Sequence, residues 1–303
     1  MTPACARAAF PVFSADSGGQ VPLNESALNP KGEDPGRVVW LDSRIFALLP
    51  DDEQYTHDVL RSLEWLYACC QNADPHAVDL AADYLARPMP PLADIPTDIA
   101  HLLRRVYQTR EFVRLLQSRD EPQFAQCGLD PVYRKLIFEA KNSFADLGAQ
   151  FISSVYIGSN TSCLTSAENI QASFRHSLST ALTLANDLRM RIEVQGDSSG
   201  LRSLYTFYSG TESVDFEAMR GIPQPGEGDL SIPILYEVIR ICGGGLRYAN
   251  TNGVGELLLN LSPAILLDDN VYSLSEFTPL DESSASPFCL EYADVYNERR
   301  PRD

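Results

Sequence analysis

The chain has 303 residues, enough for one large domain or two small ones, and 44% of them are hydrophobic. It carries 41 acidic side chains against 24 Lys and Arg, which gives a formal net charge of −17 at pH 7. Such a surface repels phosphate backbones, which argues against sequence-independent nucleic-acid binding over a broad face. The apolar runs are too short to span a membrane, and the first residues lack the apolar core of a secretory signal. We therefore expect no membrane partner and a location in the cytoplasm or in a virion.

The seven cysteines are scattered along the chain and form no C-x-x-C pair. An odd, scattered set suits neither a disulfide framework nor a zinc site. Cys69 and Cys70 are adjacent, so they cannot share the usual ligand geometry. We interpret the cysteines as reduced, buried small side chains, and we expect no metal and no cofactor.

Residues 1–36 combine prolines and a glycine pair with little apolar periodicity, which predicts an extended arm. RVVWL is predicted to be a short strand or an extended segment. Helical spacing of apolar residues then predicts four helices, over 51–70, 74–87, 97–118 and 130–147. The second and fourth begin at an Asp-Pro pair, a common helix start. Gly148 is the expected C′ residue of the fourth.

The second half of the chain is predicted to contain further helices around one uncertain segment. Residues 149–159 are rich in aromatic and β-branched side chains, which indicates a strand or a buried connector. A capping box, Thr165 with Glu168, predicts the start of the longest helix, over about 166–193. Shorter helices are predicted within 200–210, 212–221 and 231–245, the last of them ended by three glycines. Residues 254–267 are ambiguous between helix and strand.

The fold class that these patterns predict is mainly α. We expect a single large helical domain over residues 37–274 with minor β elements. A division of this core near 148–164 stays open. The domain is flanked by the first arm, 1–36, and by a second, polar and acidic arm, 275–303.

Small polar residues form a stripe on the longest predicted helix, opposite its apolar stripe, with His176 at the centre. Ser and Thr are indifferent helix formers, so helix propensity does not explain their number. The stripe is interpreted as a second contact surface, as a plainly exposed face, or as the lining of a polar pocket around His176. The interface candidates within it are Ser173, Thr180 and Thr183.

A histidine base could activate a nucleophile, and the candidates for such a site are His176, Asp187 and Cys242. Glycines follow Cys242 and could leave N–H groups free for an oxyanion, although glycine is also the ordinary helix stop. FRHSL (174–178) resembles the phosphoacceptor helix of histidine kinases, which implies an ATP-binding domain downstream. The glycines and asparagines of 243–260 follow no recognisable nucleotide-binding order, so we interpret that stretch as a loop between helices.

Arginines on the third predicted helix are the candidates for a phosphate-contacting patch. Arg104, Arg105 and Arg119 share a side of this helix away from its main apolar sector. The alternative interpretation is a solvated face whose arginines pair with the abundant carboxylates.

Both arms carry apolar anchors among their polar residues. The anchors considered for interfaces are Phe10 and Phe13 in the first arm and Phe288, Leu290, Tyr292 and Tyr296 in the second. Such segments can dock in a groove, and arms that wrap neighbouring subunits are typical of shells and filaments. We therefore expect a structural, self-assembling protein, a viral capsid or nucleocapsid-like subunit. Its partners would be copies of itself and enclosed nucleic acid that is not extensively coated.

Two other functions stay open from the sequence. One is a helical enzyme with a polar pocket around His176 and Asp187, to which Cys242 could contribute. The other is a monomeric adaptor that binds a partner through its C-terminal arm.

Overall fold

The computed structural model of the chain describes residues 53–85, 90–117, 123–126, 129–159, 161–163, 165–210, 214–216, 218–224, 228–263, 273–274 and 287–299. The anchors Phe10 and Phe13, the RVVWL segment and Arg119 lie outside these ranges. Across the described ranges, each helix is too short or too polar to traverse a bilayer. The cytoplasmic location stays a prediction.

The described elements mix helices with strands along the whole chain. The helices are α1 (Glu53–Gln71), α2 (Pro75–Leu85), α3 (Thr97–Gln117), α4 (Leu129–Ser143), α5 (Ala167–Leu184), α6 (Ser231–Cys242) and α7 (Pro287–Arg299). The strands are β1 (Gln123–Gln126), β2 (Gln150–Ile157), β3 (Ser162–Cys163), β4 (Ala185–Asp197), β5 (Gly200–Ser209), β6 (Gly244–Thr251), β7 (Val254–Leu261) and β8 (Ser273–Leu274).

A five-stranded mixed sheet organises the second half of the chain, with the strand order β2–β4–β5–β7–β6. β2 and β4 are parallel, and the other neighbours are antiparallel. α4, α5 and α6 pack against strands of this sheet, and alternate strand side chains are buried beneath them. The other face of the sheet carries the exposed alternate residues. A second, smaller sheet has the order β3–β1–β8.

The first four helices are confirmed, and they depend on local signals. α1 to α4 occupy the four predicted stretches within a few residues at each end. Gly148 follows the short 3-10 helix Ala145–Leu147 and adopts φ 72°, the left-handed conformation expected of a glycine cap.

The mainly α fold class is wrong, because the sheet is a principal layer of the fold. The helix predicted over 166–193 ends at Leu184, and the chain continues directly as β4. Met190, Ile192 and Val194 are buried at alternate positions. Ile192 also falls in the apolar sector of a helical wheel, so the period-two pattern of the strand was misread as the end of a helix.

Two more segments were misassigned. Residues 200–210, predicted to be helical, form β5, in which Leu201, Tyr205 and Phe207 are buried on the helix-covered face. The stretch 243–260, interpreted as a loop, lies in the β6–β7 hairpin. Asn252 and Gly253 have positive φ values of 54° and 81° at its tip. An Asn-Gly pair with both φ values positive is the preferred two-residue hairpin turn, and this signal was present in the sequence.

The C-terminal segment also departs from its prediction as an extended arm, because residues 287–299 form α7, which packs mainly on α3 and also on α5. The Tyr292 ring is fully buried, and its hydroxyl donates to the carbonyl of Arg175 at 3.0 Å. Arg299 donates to the carbonyl oxygens of Leu182 and Ala185 at the end of α5. This part of the predicted arm is therefore a core helix of its own chain.

Candidate functional site

A group of polar and charged side chains lies in the core where α3, α5, α6 and α7 meet. We call it the Arg104 cluster, and its members are Arg104, Gln108, Asp229, Ser231, Glu291 and Asp294. Arg104 donates to Asp294 Oδ2 at 3.2 Å, to Glu291 Oε1 at 3.4 Å and to Asp229 Oδ2 at 3.1 Å. Its exposed fraction is 5%, so a guanidinium is buried here together with its counter-charges.

A second buried ion-pair group lies one and two turns further along α3. Arg175 donates to Glu111 Oε2 at 3.2 Å and to the hydroxyl of Tyr107 at 2.9 Å, and Tyr107 donates to Glu111. Arg114 donates to the other carboxylate oxygen of Glu111. Burial alone would raise the pKa of Glu111, but Arg114 and Arg175 more than offset that effect and hold the pKa well below its usual range.

His176 lies between these two groups and is completely buried. Its ring stacks on Tyr107 with 6.0 Å between centroids, and Nδ1 lies 3.5 Å from Glu291 Oε1. Neither ring nitrogen completes a hydrogen bond within the described part of the chain. The neighbours of His176 are thus core side chains, and it faces no cleft in which it could act on a substrate as a base.

The polar stripe around His176 divides between core and surface. Ser173 and Thr180 are buried, and their hydroxyls donate to the carbonyls of Ile170 and His176 in the same helix. Thr183 is exposed and likewise donates to its own helix. Much of the stripe is therefore a packing surface within one chain, with its hydroxyls satisfied by α5 itself.

Asp187 and Cys242 are not brought to His176. Asp187 lies near the start of β4, where it accepts hydrogen bonds from the guanidinium of Arg189. Cys242 ends α6, and its thiol donates to the carbonyl of Val238 at 2.8 Å. Burial raises the pKa of Cys242 to about 12, which keeps the thiol protonated and a poor nucleophile.

The N-terminal end of α6 is closed by the Arg104 cluster. Gln108 Oε1 accepts from the backbone N–H of Leu230 at 3.0 Å, and Asp229 Oδ1 accepts from that of Ser231 at 2.7 Å. The hydroxyl of Ser231 donates to Glu291. A helix N-terminus ordinarily attracts phosphate, but here Gln108 and Asp229 of the same chain already accept from two of its backbone N–H groups.

The predicted arginine patch is not assembled as a joint surface. The Arg104 guanidinium forms ion pairs with three acids of the Arg104 cluster. The Arg105 guanidinium lies over the ring of Trp65 at 5.0 Å from its centroid. The arm anchors Leu290, Tyr292 and Tyr296 are buried within the chain, and the side chain of Phe288 lies outside the described part. Leu290, Tyr292 and Tyr296 are therefore not free to dock on a neighbour.

An exposed apolar patch does occur at one edge of the large sheet. Phe138, Ile152 and Tyr156 have exposed fractions of 62%, 71% and 69%. Ile152 and Tyr156 project from the open face of β2, and Phe138 lies on the side of α4 that overhangs this strand. Arg134 and Lys141 share that side of α4 at helical spacing. We call these five residues the β2-edge patch.

The contacts of its cations place the patch beside the strand edge. Arg134 donates to the backbone carbonyl of Val155 at 3.2 Å, and Lys141 donates to the hydroxyl of Ser153 at 2.9 Å. The sequence alone does not predict this site, because the pattern of residues 149–159 is compatible with a strand or with a buried connector. Its signal was the run QFISSVYI, which has apolar residues on both strand faces and no charge.

Solved structures similar to this chain are histidine kinases. The Acinetobacter baumannii histidine kinase AdeS is 10% identical, covers 69% of this chain and 95% of its own, and has a TM-score of 0.43. A histidine kinase from Burkholderia phymatum STM815 is 11% identical over 74% and 100%, with a TM-score of 0.38. Full-length ShkA in complex with AMPPNP is 13% identical over 64% and 47%, with a TM-score of 0.43. No family model and no curated protein matches the sequence. At these identities and TM-scores the likeness assigns no activity.

The prediction of a self-assembling capsid or nucleocapsid-like subunit is wrong. The similar structures are histidine kinases and not capsid or virion proteins. The physical reason lies in α7, whose apolar side chains fill the core of their own chain and cannot wrap a neighbour. The proposal of enclosed nucleic acid is weakened as well, because Arg104 and Arg105, two of the three arginines proposed to face it, are engaged within the fold.

Proposed function

We propose that this chain is a protein-binding module that captures an extended segment of a partner protein on the free edge of β2. The observation that carries the proposal is the β2-edge patch beside the free edge of β2. β2 itself carries no charge, and exposed apolar side chains of the patch flank it on both sides. We further propose that His176 takes no part in phosphotransfer, because it is completely buried among core side chains of the described residues.

The backbone of β2 supplies the pairing groups. β2 pairs with β4 along its whole length, and no other described strand pairs with it. The carbonyl of Val155 accepts from Arg134, a side chain beside the strand, so it lies on the edge away from β4. Successive residues of a strand direct their N–H and C=O groups to alternate edges. Phe151 and Ser153 therefore present theirs to the same free edge, where a further strand could pair.

Within the described residues, β2 itself lacks several of the usual protections against strand addition, although Arg134 and Lys141 lie beside its edge. Exposed edges are ordinarily protected by prolines, inward-pointing charges, bulges or very short strands. β2 has eight residues, none of them charged and none of them proline, and its pairing with β4 is in continuous register. Main-chain pairing gives affinity to strand addition, and pockets for alternate side chains give specificity. Here Ile152 and Tyr156 on one side and Phe138 on the other are placed to contact those side chains.

Charge indicates which kind of segment fits. Arg134 and Lys141 lie beside the edge of a chain whose net charge is −17. Lys135 and Lys141, both on α4, are the only two lysines among the described residues. Arg134 is already paired with Asp130 of its own helix, so Lys141 is the cation that an acidic residue of the partner would meet. A segment that alternates apolar with acidic residues would contact both the apolar side chains and Lys141. Our proposed partner is therefore an extended, acidic and apolar stretch of another protein.

Fluorescence anisotropy with model peptides tests this proposal. The probes are labelled nine-residue peptides that alternate valine with glutamate, or valine with lysine, and a valine–glutamate peptide with a central proline. We expect saturable binding of the glutamate peptide, at least about tenfold weaker binding of the lysine peptide, and weak binding of the proline peptide. Tyr156→Asp should abolish binding of the glutamate peptide, whereas the matched control Tyr208→Asp, on the open face of the interior strand β5, should not.

Other results would overturn the proposal. Equal binding of all three peptides, or equal loss in both tyrosine variants, would mean that the free edge of β2 is not the site. A concentration-dependent doubling of mass in light scattering that Tyr156→Asp abolishes would make a second copy of this chain the occupant. Self-association would then replace binding to another protein.

A further inference from the structure

We propose that His101, Asp294 and Glu298 form a binding site for a divalent transition metal, with Zn²⁺ as the best-matched ion. One nitrogen and two carboxylate oxygens from these residues lie within 4.8 Å of one another. His101 comes from α3, and the two acids come from α7. The site would bridge the two helices where they pack against each other.

The helical spacing brings both acids to one place. Asp294 and Glu298 are four residues apart, so they lie on the same side of α7, one turn from each other. His101 Nδ1 lies 2.6 Å from Asp294 Oδ1. Ligand atoms around a tetrahedral zinc are separated by roughly 3.3 Å, which follows from bond lengths of about 2.0–2.2 Å. Small rotations of the His101 ring and of the exposed Glu298 side chain would open that space.

Asp294 is held with one oxygen toward the site. It is 2% exposed, and its Oδ2 is occupied by the guanidinium of Arg104. Oδ1 points the other way, toward His101, and lies against its Nδ1 atom at 2.6 Å. Around bound metals, a ligating carboxylate is commonly held by a hydrogen bond to one of its oxygens while the other oxygen faces the ion. Arg104 would be the orienting partner here.

The ligand set and its exposure select the ion. One imidazole with two carboxylates suits zinc and related metals better than magnesium, which prefers oxygen ligands and retains its water. His101 and Glu298 are partly or fully exposed, so an ion can enter from solvent and keep water at its open position. Metal bound here would tie α7 to α3 and would stabilise the folded chain against unfolding.

Isothermal titration of the metal-free full chain with ZnCl₂, together with thermal unfolding, tests this site. We expect one equivalent of Zn²⁺ to bind and the Tm to rise, with little effect from Mg²⁺. His101→Gln and Glu298→Gln should each weaken Zn²⁺ binding at least about tenfold. The matched control is His57→Gln, which removes an exposed histidine that also lies near an acid, Asp58.

Glu298→Gln keeps the experiment decisive if His101→Gln impairs folding, because Glu298 is exposed and makes no buried contact that folding needs. Zn²⁺ binding that is unchanged in Glu298→Gln, or no binding to the unsubstituted chain, would overturn the proposal. Binding lost only in Cys69→Ser would assign the metal to the thiols instead. These readouts are independent of the β2 edge, so either proposal can fail alone.

Discussion

Single buried carboxylates make the stability of this chain dependent on pH. Burial alone would raise the pKa of Glu291, but the charge of Arg104 contributes to lowering it to about 2, and the pKa of Glu111 is also depressed. The side chain of a glutamate in an unfolded chain has a pKa of about 4.3. A group with a depressed pKa stabilises the folded state above the unfolded pKa, and this contribution is lost as the pH falls toward the folded pKa.

We therefore expect the free energy of unfolding to fall between about pH 5 and pH 2, by roughly 3 kcal/mol for Glu291 alone. Glu111→Gln should make this acid dependence shallower. It should also destabilise the chain at neutral pH by about 3–5 kcal/mol, because Arg114 and Arg175 lose a buried counter-charge. Urea unfolding across a pH series measures both effects. Glu256→Gln, an exposed residue on the open sheet face, is the control and should change neither.

The residue types and their helical pattern identified His176 as unusual. They did not reveal which side chains surround it in the fold. Its place in a stripe of small polar residues was visible in the sequence, and its burial depended on α3 and α7, which are distant in the chain. The acids of the Arg104 cluster were missed for the same reason. In the sequence, Glu291 and Asp294 belong to a segment predicted to be a polar arm. In the fold, both lie opposite Arg104 and pair with it.

Among the elements, α7 contributes most to the correction of the predicted fold. The segment that forms α7 is polar enough to predict an extended arm, yet its side chains Leu290, Tyr292 and Val295 are buried. Deleting residues 287–303 should therefore abolish cooperative folding, since it opens the core beside α3 and leaves Arg104 without two of its acids. Near-UV circular dichroism and thermal melts would detect this loss. A truncated chain that melts cooperatively at an unchanged Tm would show that α7 is a dispensable appendage.

Strands and helices differed in how far local sequence could predict them. α1 to α4 begin and end at signals within a few residues, such as the Asp-Pro starts and Gly148. β4 follows α5 without a break, and no turn residue marks the change at Ala185. Its strand conformation depends on pairing with β2 and β5, which is non-local information.

At the scale of the whole molecule, composition limited the function but did not identify the surface that performs it. The net charge weighed against broad nucleic-acid binding, and the arms suggested assembly because their anchors appeared to lack a partner. That partner proved to be the chain itself for the anchors of α7. The open edge of β2 is recognisable only once the strand order is known.

The closed end of α6 leads to a further prediction, because a nucleotide phosphate could bind at this end only if the helices around it separated. Gln108 and Asp229 already accept from its N–H groups, and Arg104 is saturated by acids and cannot offer its charge to a ligand. Millimolar Mg-ATP should therefore leave the Tm unchanged, and incubation with γ-labelled ATP should incorporate no phosphate. A rise in Tm with ATP but not with free triphosphate, accompanied by labelling that His176→Gln abolishes, would contradict the proposal that His176 takes no part in phosphotransfer. Such a result would require α3 and α7 to move away from α5, which the buried contacts of Tyr292 and Arg104 oppose.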